Sequence, residues 1–168
     1  MDLLASLERW LTQILEGILI ILFAIFLTLV CILVVLRYGF STSIFGGNEF
    51  VTIAFLFTSA IGGAVGISRR EHIAITFFID MLPRSFKMAS YILGLLLVAV
   101  INGYMVYYSV NWIALAGHNP WQPFGWPQGI VHAAVPLGCS LAALFCLIKI
   151  ALTLGGRVPM DQLWLPEE

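Results

Sequence analysis

Ser68-Arg69-Arg70-Glu71-His72-Ile73-Ala74-Ile75-Thr76-Phe77-Phe78-Ile79-Asp80-Met81-Leu82-Pro83-Arg84-Ser85-Phe86-Lys87 is the stretch on which the fold turns. It holds Arg69, Arg70, Arg84 and Lys87, four of the chain's eight basic residues, and it separates two long apolar halves. Such a stretch is expected as the hinge between two membrane hairpins. Its middle, 72–83, is expected as an interfacial helix. At about 100° per residue, His72, Thr76 and Asp80 form one narrow polar stripe, and Ile73, Phe77, Phe78, Met81 and Leu82 cover the rest. A polar edge that narrow suits the membrane surface, and Pro83 ends or kinks the helix. Ile73, Ile75, Phe77 and Ile79 also alternate as a strand would. An open strand edge in lipid leaves backbone groups unpaired, which favours the helix.

Outward from the hinge, composition sets the class. Of 168 residues, 61% are hydrophobic and 10% charged, against about 25% charged in an ordinary soluble domain. Mean hydropathy is +1.00. The chain is expected to be an all-α integral membrane protein, one bundle within a single membrane domain over 1–168. A net charge of −1 argues against nucleic acid as a partner. Cys31, Cys139 and Cys146 fall inside expected spans, where free thiols act as small apolar groups. The N-terminus lacks the marks of a signal peptide: Asp2 and Glu8 precede an apolar run that is too long and has no small-residue cleavage site.

Residues 2–16 carry an amphipathic pattern. Leu7, Trp10, Leu11 and Ile14 follow i, i+3, i+4, i+7, and Glu8, Arg9, Thr12, Gln13 and Glu16 lie opposite. This segment is expected along the membrane surface, turning into the first span; the alternative is that it prolongs that span. Four spans follow, at 17–36, 50–68, 88–109 and 133–154, each near the roughly 20 residues that cross about 30 Å of hydrocarbon. Asn48 is the expected N-cap of the second span, with Glu49 in its first turn. In that span Gly62 and Gly66 are four apart, as are Ser59 and Gly63, a possible helix-packing face. Asn102 in the third span is expected to bond a neighbouring helix. Between spans three and four, 110–131 is uncharged and rich in Pro and Trp. It is either an interfacial aromatic belt or a docking loop built on Trp112, Trp121 and Trp126. Pro136 is tolerated in the first turn of the fourth span, and Lys149 is expected to snorkel to headgroups.

Four spans put both termini and the hinge on one side. That side holds Arg9, Arg69, Arg70, Arg84, Lys87, Lys149 and Arg157, and the other holds Arg37 alone. The positive-inside rule then makes both termini cytoplasmic. His72 is on the inner side and His118 and His132 on the outer, so His72 cannot share a haem with either within one leaflet. No nucleophile–base pair, phosphate-cradling loop or zinc spacing is present, and no span carries a charge at its midpoint, the usual mark of an ion path. A chain of this kind is not expected to be an enzyme, to hold a catalytic, cofactor or metal site, or to transport alone. Arg37 and Glu49 are candidates for an ion pair across the first loop.

Several residues together carry a family likeness. Glu49 opens the second span, Ala60-Ile61-Gly62-Gly63-Ala64 lies within it, and Arg69 and His72-Ile73 follow it. A Pro-containing outer loop then leads to Val135-Pro136-Leu137-Gly138. Over nearly its whole length the chain resembles the small membrane (Q) subunit of tripartite ATP-independent periplasmic (TRAP) transporters. The Trp-heavy segment from Trp121 to Trp126 departs from the general pattern. The resemblance implies partnership with a large polytopic (M) subunit that carries the substrate and Na⁺ sites and works by an elevator-like motion. It also implies a periplasmic binding (P) protein that delivers an organic anion such as a dicarboxylate, a keto acid or sialic acid. The small subunit would be a static scaffold in the bacterial or archaeal inner membrane, with no cofactor of its own. Two other readings stay open: a self-assembling four-helix multidrug exporter, for which only Glu16 approaches the needed carboxylate, and a membrane anchor of a respiratory enzyme.

Overall fold

The computed structural model describes residues 2–69, 84–122 and 124–155. The expected interfacial helix 72–83, with His72, lies outside the described residues, as does the tail from 156. Helix α1 spans Asp2–Gly39, α2 Gly47–Arg69, α3 Arg84–Ala116, α4 Gln128–His132 and α5 Ala134–Leu154. A two-stranded antiparallel hairpin, β1 Pro120–Trp121 and β2 Trp126–Pro127, precedes α4. Among the described residues four helical stretches are long and apolar enough to cross a membrane, with α4 and α5 forming the fourth together. The all-α membrane class and its four spans are therefore as expected from the sequence.

Residues 2–16 are helical, but they are the opening turns of α1 and not a separate surface element. The 38 residues of α1 give about 57 Å at about 1.5 Å per residue, nearly twice the hydrocarbon thickness. Nothing at the junction breaks the helix: Gly17 alone costs about 1 kcal/mol relative to Ala. The orientation of the first turns is also the reverse of the surface expectation. Glu8 and Thr12 are 6% and 5% exposed, whereas Trp10 is 62% exposed. The polar stripe turns to the protein, and Leu7, Trp10 and Ile14 turn away from it. In lipid this is the sensible choice, because apolar side chains lose nothing outside and polar ones find partners only inside.

The helices form a row rather than a closed bundle. α1 packs on α2, α2 on α5, and α5 on α3, while α1 and α5 touch more sparingly. Helix α5 is accordingly the most covered, burying Ala134, Gly138, Ala142, Phe145, Cys146, Ile148 and Lys149 among others. The α1–α2 seam is regular. Thr12 meets Ser68, Leu19 lies against Gly62, Phe26 meets Phe55, and Leu33 lies against Gly47. Each seven-residue advance on α1 moves the contact six to eight residues back along α2, the antiparallel form of heptad packing. Helix α3 shows α5 a single stripe. Its half-buried positions Ile92, Leu95, Ala99, Asn102, Val106, Ser109, Ile113 and Ala116 alternate by three and four. Tyr91 is buried near the start of α3, and most of the rest of the helix, including Leu97, Ile101, Tyr104 and Tyr108, is exposed.

Between α4 and α5 the helix is interrupted at Ala133. Pro136 has no N–H for the His132 carbonyl four residues back, and its ring crowds that carbonyl. Helix α2 starts at Gly47, one residue before the expected cap, so Asn48 lies in its first turn. Polar side chains inside the spans mostly bond their own helix. Thr28, Thr52, Thr58 and Ser140 each donate to the carbonyl four residues back, which satisfies the hydroxyl without a partner helix. Asn102 also donates to its own helix, at Val98 O, 2.8 Å, and not to a neighbouring one.

Candidate functional site

At the end where α1 begins and α2 and α5 finish, three polar links tie these helices together. Glu8, Thr12 and Glu16 are spaced i, i+4, i+8 and share one face of α1. Helix α2 ends in Ser68 and Arg69, and α5 brings Lys149 to the same level. The Glu8 carboxylate lies 3.1 Å from the Lys149 ammonium, with side chains 7% and 1% exposed. The Thr12 and Ser68 hydroxyls are 2.6 Å apart, both residues buried. Arg69 Nε and Nη2 donate to the two Glu16 oxygens at 2.5 and 2.8 Å, a bidentate pair about a third exposed.

These links differ in worth. Among the described residues Glu8 Oε1 has no hydrogen-bond partner, and the Lys149 ammonium beside it compensates its burial. Removing one member of such a pair costs about 3–5 kcal/mol, although the pair itself adds little over an apolar replacement. The hydroxyl contact is worth about 1 kcal/mol. The Arg69–Glu16 pair, open to solvent on one side, contributes about 1 kcal/mol or less. Below the ladder, Leu15, Ala64, Val65, Ile67, Ala142, Phe145 and Cys146 form the apolar core. Lys149 therefore does not snorkel; it is held inside the protein.

The opposite end is closed by aromatic rings. Gly125, at φ 72°, lets the hairpin turn, and its N–H donates to Trp121 O at 2.8 Å. The turn drives Phe124 toward the α1–α2 loop. There its ring lies 5.0 Å from Phe50 and 5.2 Å from Trp126, centroid to centroid. Gly46 makes room for it: a Cβ there would fall 1.9 Å from the Phe124 ring. The base of the hairpin is fixed by a close approach of α3's end to α4, with Gly129 N–H donating to Gly117 O at 2.9 Å. Trp121 stands edge-on to His132, and Trp112 and Trp126 are exposed.

The small residues separate into used and unused positions. Gly138 of α5 meets Ala60 of α2 so closely that a Cβ would fall 2.7 Å from the Ala60 Cβ and 2.8 Å from its carbonyl oxygen. Around Gly63 and Gly66 the space is open, Gly62 has ordinary contact with Leu19, and Ser59 is exposed. Glu49 is half-buried in the first turn of α2, Pro136 sits in the first turn of α5, and Arg69 belongs to the ladder. Among the described residues no ion pair joins Arg37 to Glu49, so that expected pair is not made. Cys31, Cys139 and Cys146 are free.

Sequence reasoning overlooked the ladder, although two signals pointed to it. Glu8, Thr12 and Glu16 make a stripe as regular as the apolar one. Lys149 stands in the run Leu147-Ile148-Lys149-Ile150-Ala151 without an acid nearby, which requires a partner from another helix. The arrangement ties α1 to α2 and to α5. Comparison with known proteins agrees with an accessory role. The family described as tripartite ATP-independent periplasmic transporters, DctQ component, matches residues 26–156. A Haemophilus influenzae protein named as a TRAP transporter small permease is 24% identical over 159 residues, covering 90% of this chain and 94% of that protein. The chain is a multi-pass membrane protein that belongs to the DctQ family, the small membrane component of TRAP transporters.

Proposed function

We propose that this chain is the static scaffold of a Na⁺-coupled importer that receives an organic anion, of the dicarboxylate, keto acid or sialic acid class, from a periplasmic binding protein. The large elevator-type subunit carries the substrate and Na⁺ sites, and this chain carries no cofactor and catalyses no reaction. Its place is the inner membrane, with both termini and the ladder on the cytoplasmic side. The use of the charges carries this reading. Glu8, Glu16, Arg69 and Lys149 are engaged between helices, which favours rigidity over a transport path. The row arrangement supports it too, since it leaves broad apolar faces for lipid and a larger partner. The small residues Ser59, Gly63 and Gly66, open in this chain, are the proposed meeting face for that partner. Glu16 serves an exporter poorly, because Arg69 already neutralises it.

The test is gentle-detergent purification of the tagged chain from its native membrane. Recovery of an equal amount of a much larger polytopic protein, with uptake that needs Na⁺ and a periplasmic binding protein, is the expected result. Recovery of the chain only with itself would overturn the proposal and favour the exporter. Gly63→Leu with Gly66→Leu should abolish co-purification while leaving the chain folded; undiminished co-purification would remove that face from the proposal.

A further inference from the structure

At the hairpin end, a groove of about 960 Å³ opens between the last turns of α1, the loop after it and the first turn of α2. Its lining is graded. Val30, Leu33, Val34 and Val51 form the part toward the middle of the spans, and Arg37, Tyr38, Ser41, Thr42, Ser43 and Asn48 form the rim. No carboxylate lines it, and Arg37 forms no ion pair among the described residues. Glu49, the nearest acid in sequence, lies outside the lining.

From this gradient, and resting on the cytoplasmic placement of the termini proposed above, we infer that the groove binds one glycerophospholipid of the outer leaflet, its phosphodiester on Arg37 and the hydroxyl rim and its acyl chain along Val30, Leu33, Val34 and Val51. The fit follows from charge and depth. Guanidinium is well matched to phosphate oxygens, and the Tyr38, Ser41, Thr42 and Ser43 hydroxyls and the Asn48 amide supply further donors. The cation stands at the end of a span, where headgroups lie, and the apolar wall begins within the next turns. General lipid contact needs only apolar surface. This groove adds a cation and a polar rim at one depth.

Native mass spectrometry of the full chain in mild detergent, with dioleoylphosphatidylglycerol added, tests the assignment. Wild type should retain one lipid. Arg37→Gln should weaken retention about fivefold, the size of one solvent-edge charge contact of about 1 kcal/mol. Arg37→Lys should recover most of it. Val34→Trp should block the acyl wall and lower retention with Arg37 intact, whereas Leu97→Trp, on exposed α3, should not. Dioleoylglycerol, which lacks the phosphate, should bind no better than to Arg37→Gln, and millimolar inorganic phosphate should not displace the lipid. Equal retention by wild type and Arg37→Gln, equal binding of dioleoylglycerol, or displacement by inorganic phosphate would each overturn the inference. Far-ultraviolet circular dichroism identifies any variant that loses helix, and Arg37→Lys and Val34→Trp then decide the matter.

Discussion

Replacing Lys149 with Met should be among the most damaging single changes to this fold, and the damage should be repaired by a second change far away in sequence. In wild type the Glu8 carboxylate is 7% exposed and faces the Lys149 ammonium at 3.1 Å. Lys149→Met fills the same space but leaves the carboxylate in an apolar site with no cation at that position. Breaking a buried pair in this way costs roughly 3–5 kcal/mol. For a chain of this length that corresponds to a fall in Tm of roughly 10 °C. Adding Glu8→Gln removes the charge, so the double variant should return to within about 1 kcal/mol of wild type. Tryptophan fluorescence melts of wild type, Lys149→Met and the double variant, each as the purified full chain, are sufficient. Equal melting of Lys149→Met and wild type, or a double variant no better than the single, would refute the account of the ladder.

Other substitutions test the remaining contacts. Gly138→Ala should destabilise by about 1–3 kcal/mol, because its Cβ would fall 2.8 Å from the Ala60 carbonyl oxygen; Gly63→Ala, in open space, should melt like wild type, and equal melting of both variants would contradict the close α2–α5 approach. Thr12→Val should cost only about 1 kcal/mol, to be compared in the same melts, and a loss as large as that of Lys149→Met would mean the ladder's weights are misjudged. Phe124→Ala should free the hairpin and red-shift tryptophan emission as Trp126 loses the ring 5.2 Å away; unchanged emission and proteolysis in the loop would argue against the aromatic closure. Gly46→Ala should do the same, since φ is 73° there and the Phe124 ring occupies the added Cβ position.

How much of this was legible in the sequence depended on the kind of force involved. The expected spans at 17–36, 50–68, 88–109 and 133–154 fall within the four observed helical stretches. Hydrocarbon forbids unpaired backbone, so a long uncharged run has one outcome wherever its neighbours lie. The family likeness was legible too, from Glu49, the Ala60–Ala64 run and the Val135–Gly138 run. The small-residue pattern was harder to use. Spacing marked Gly62 with Gly66 and Ser59 with Gly63, but the close approach of α2 to α5 is made by Ala60 against Gly138. Four-residue spacing shows that a helix can be approached closely; it does not say which face is taken or by whom.

The sequence by itself determined the membrane class and the number of spans, because these follow from local hydrophobic length. Only the tertiary structure decided which way α1's opening turns face, that Lys149 is enclosed by Glu8, and that the helices stand in a row with α5 well inside it. The physical reason is that lipid is as apolar as leucine. An amphipathic pattern in such a solvent does not choose a side until a partner for its polar stripe arrives from a distant helix.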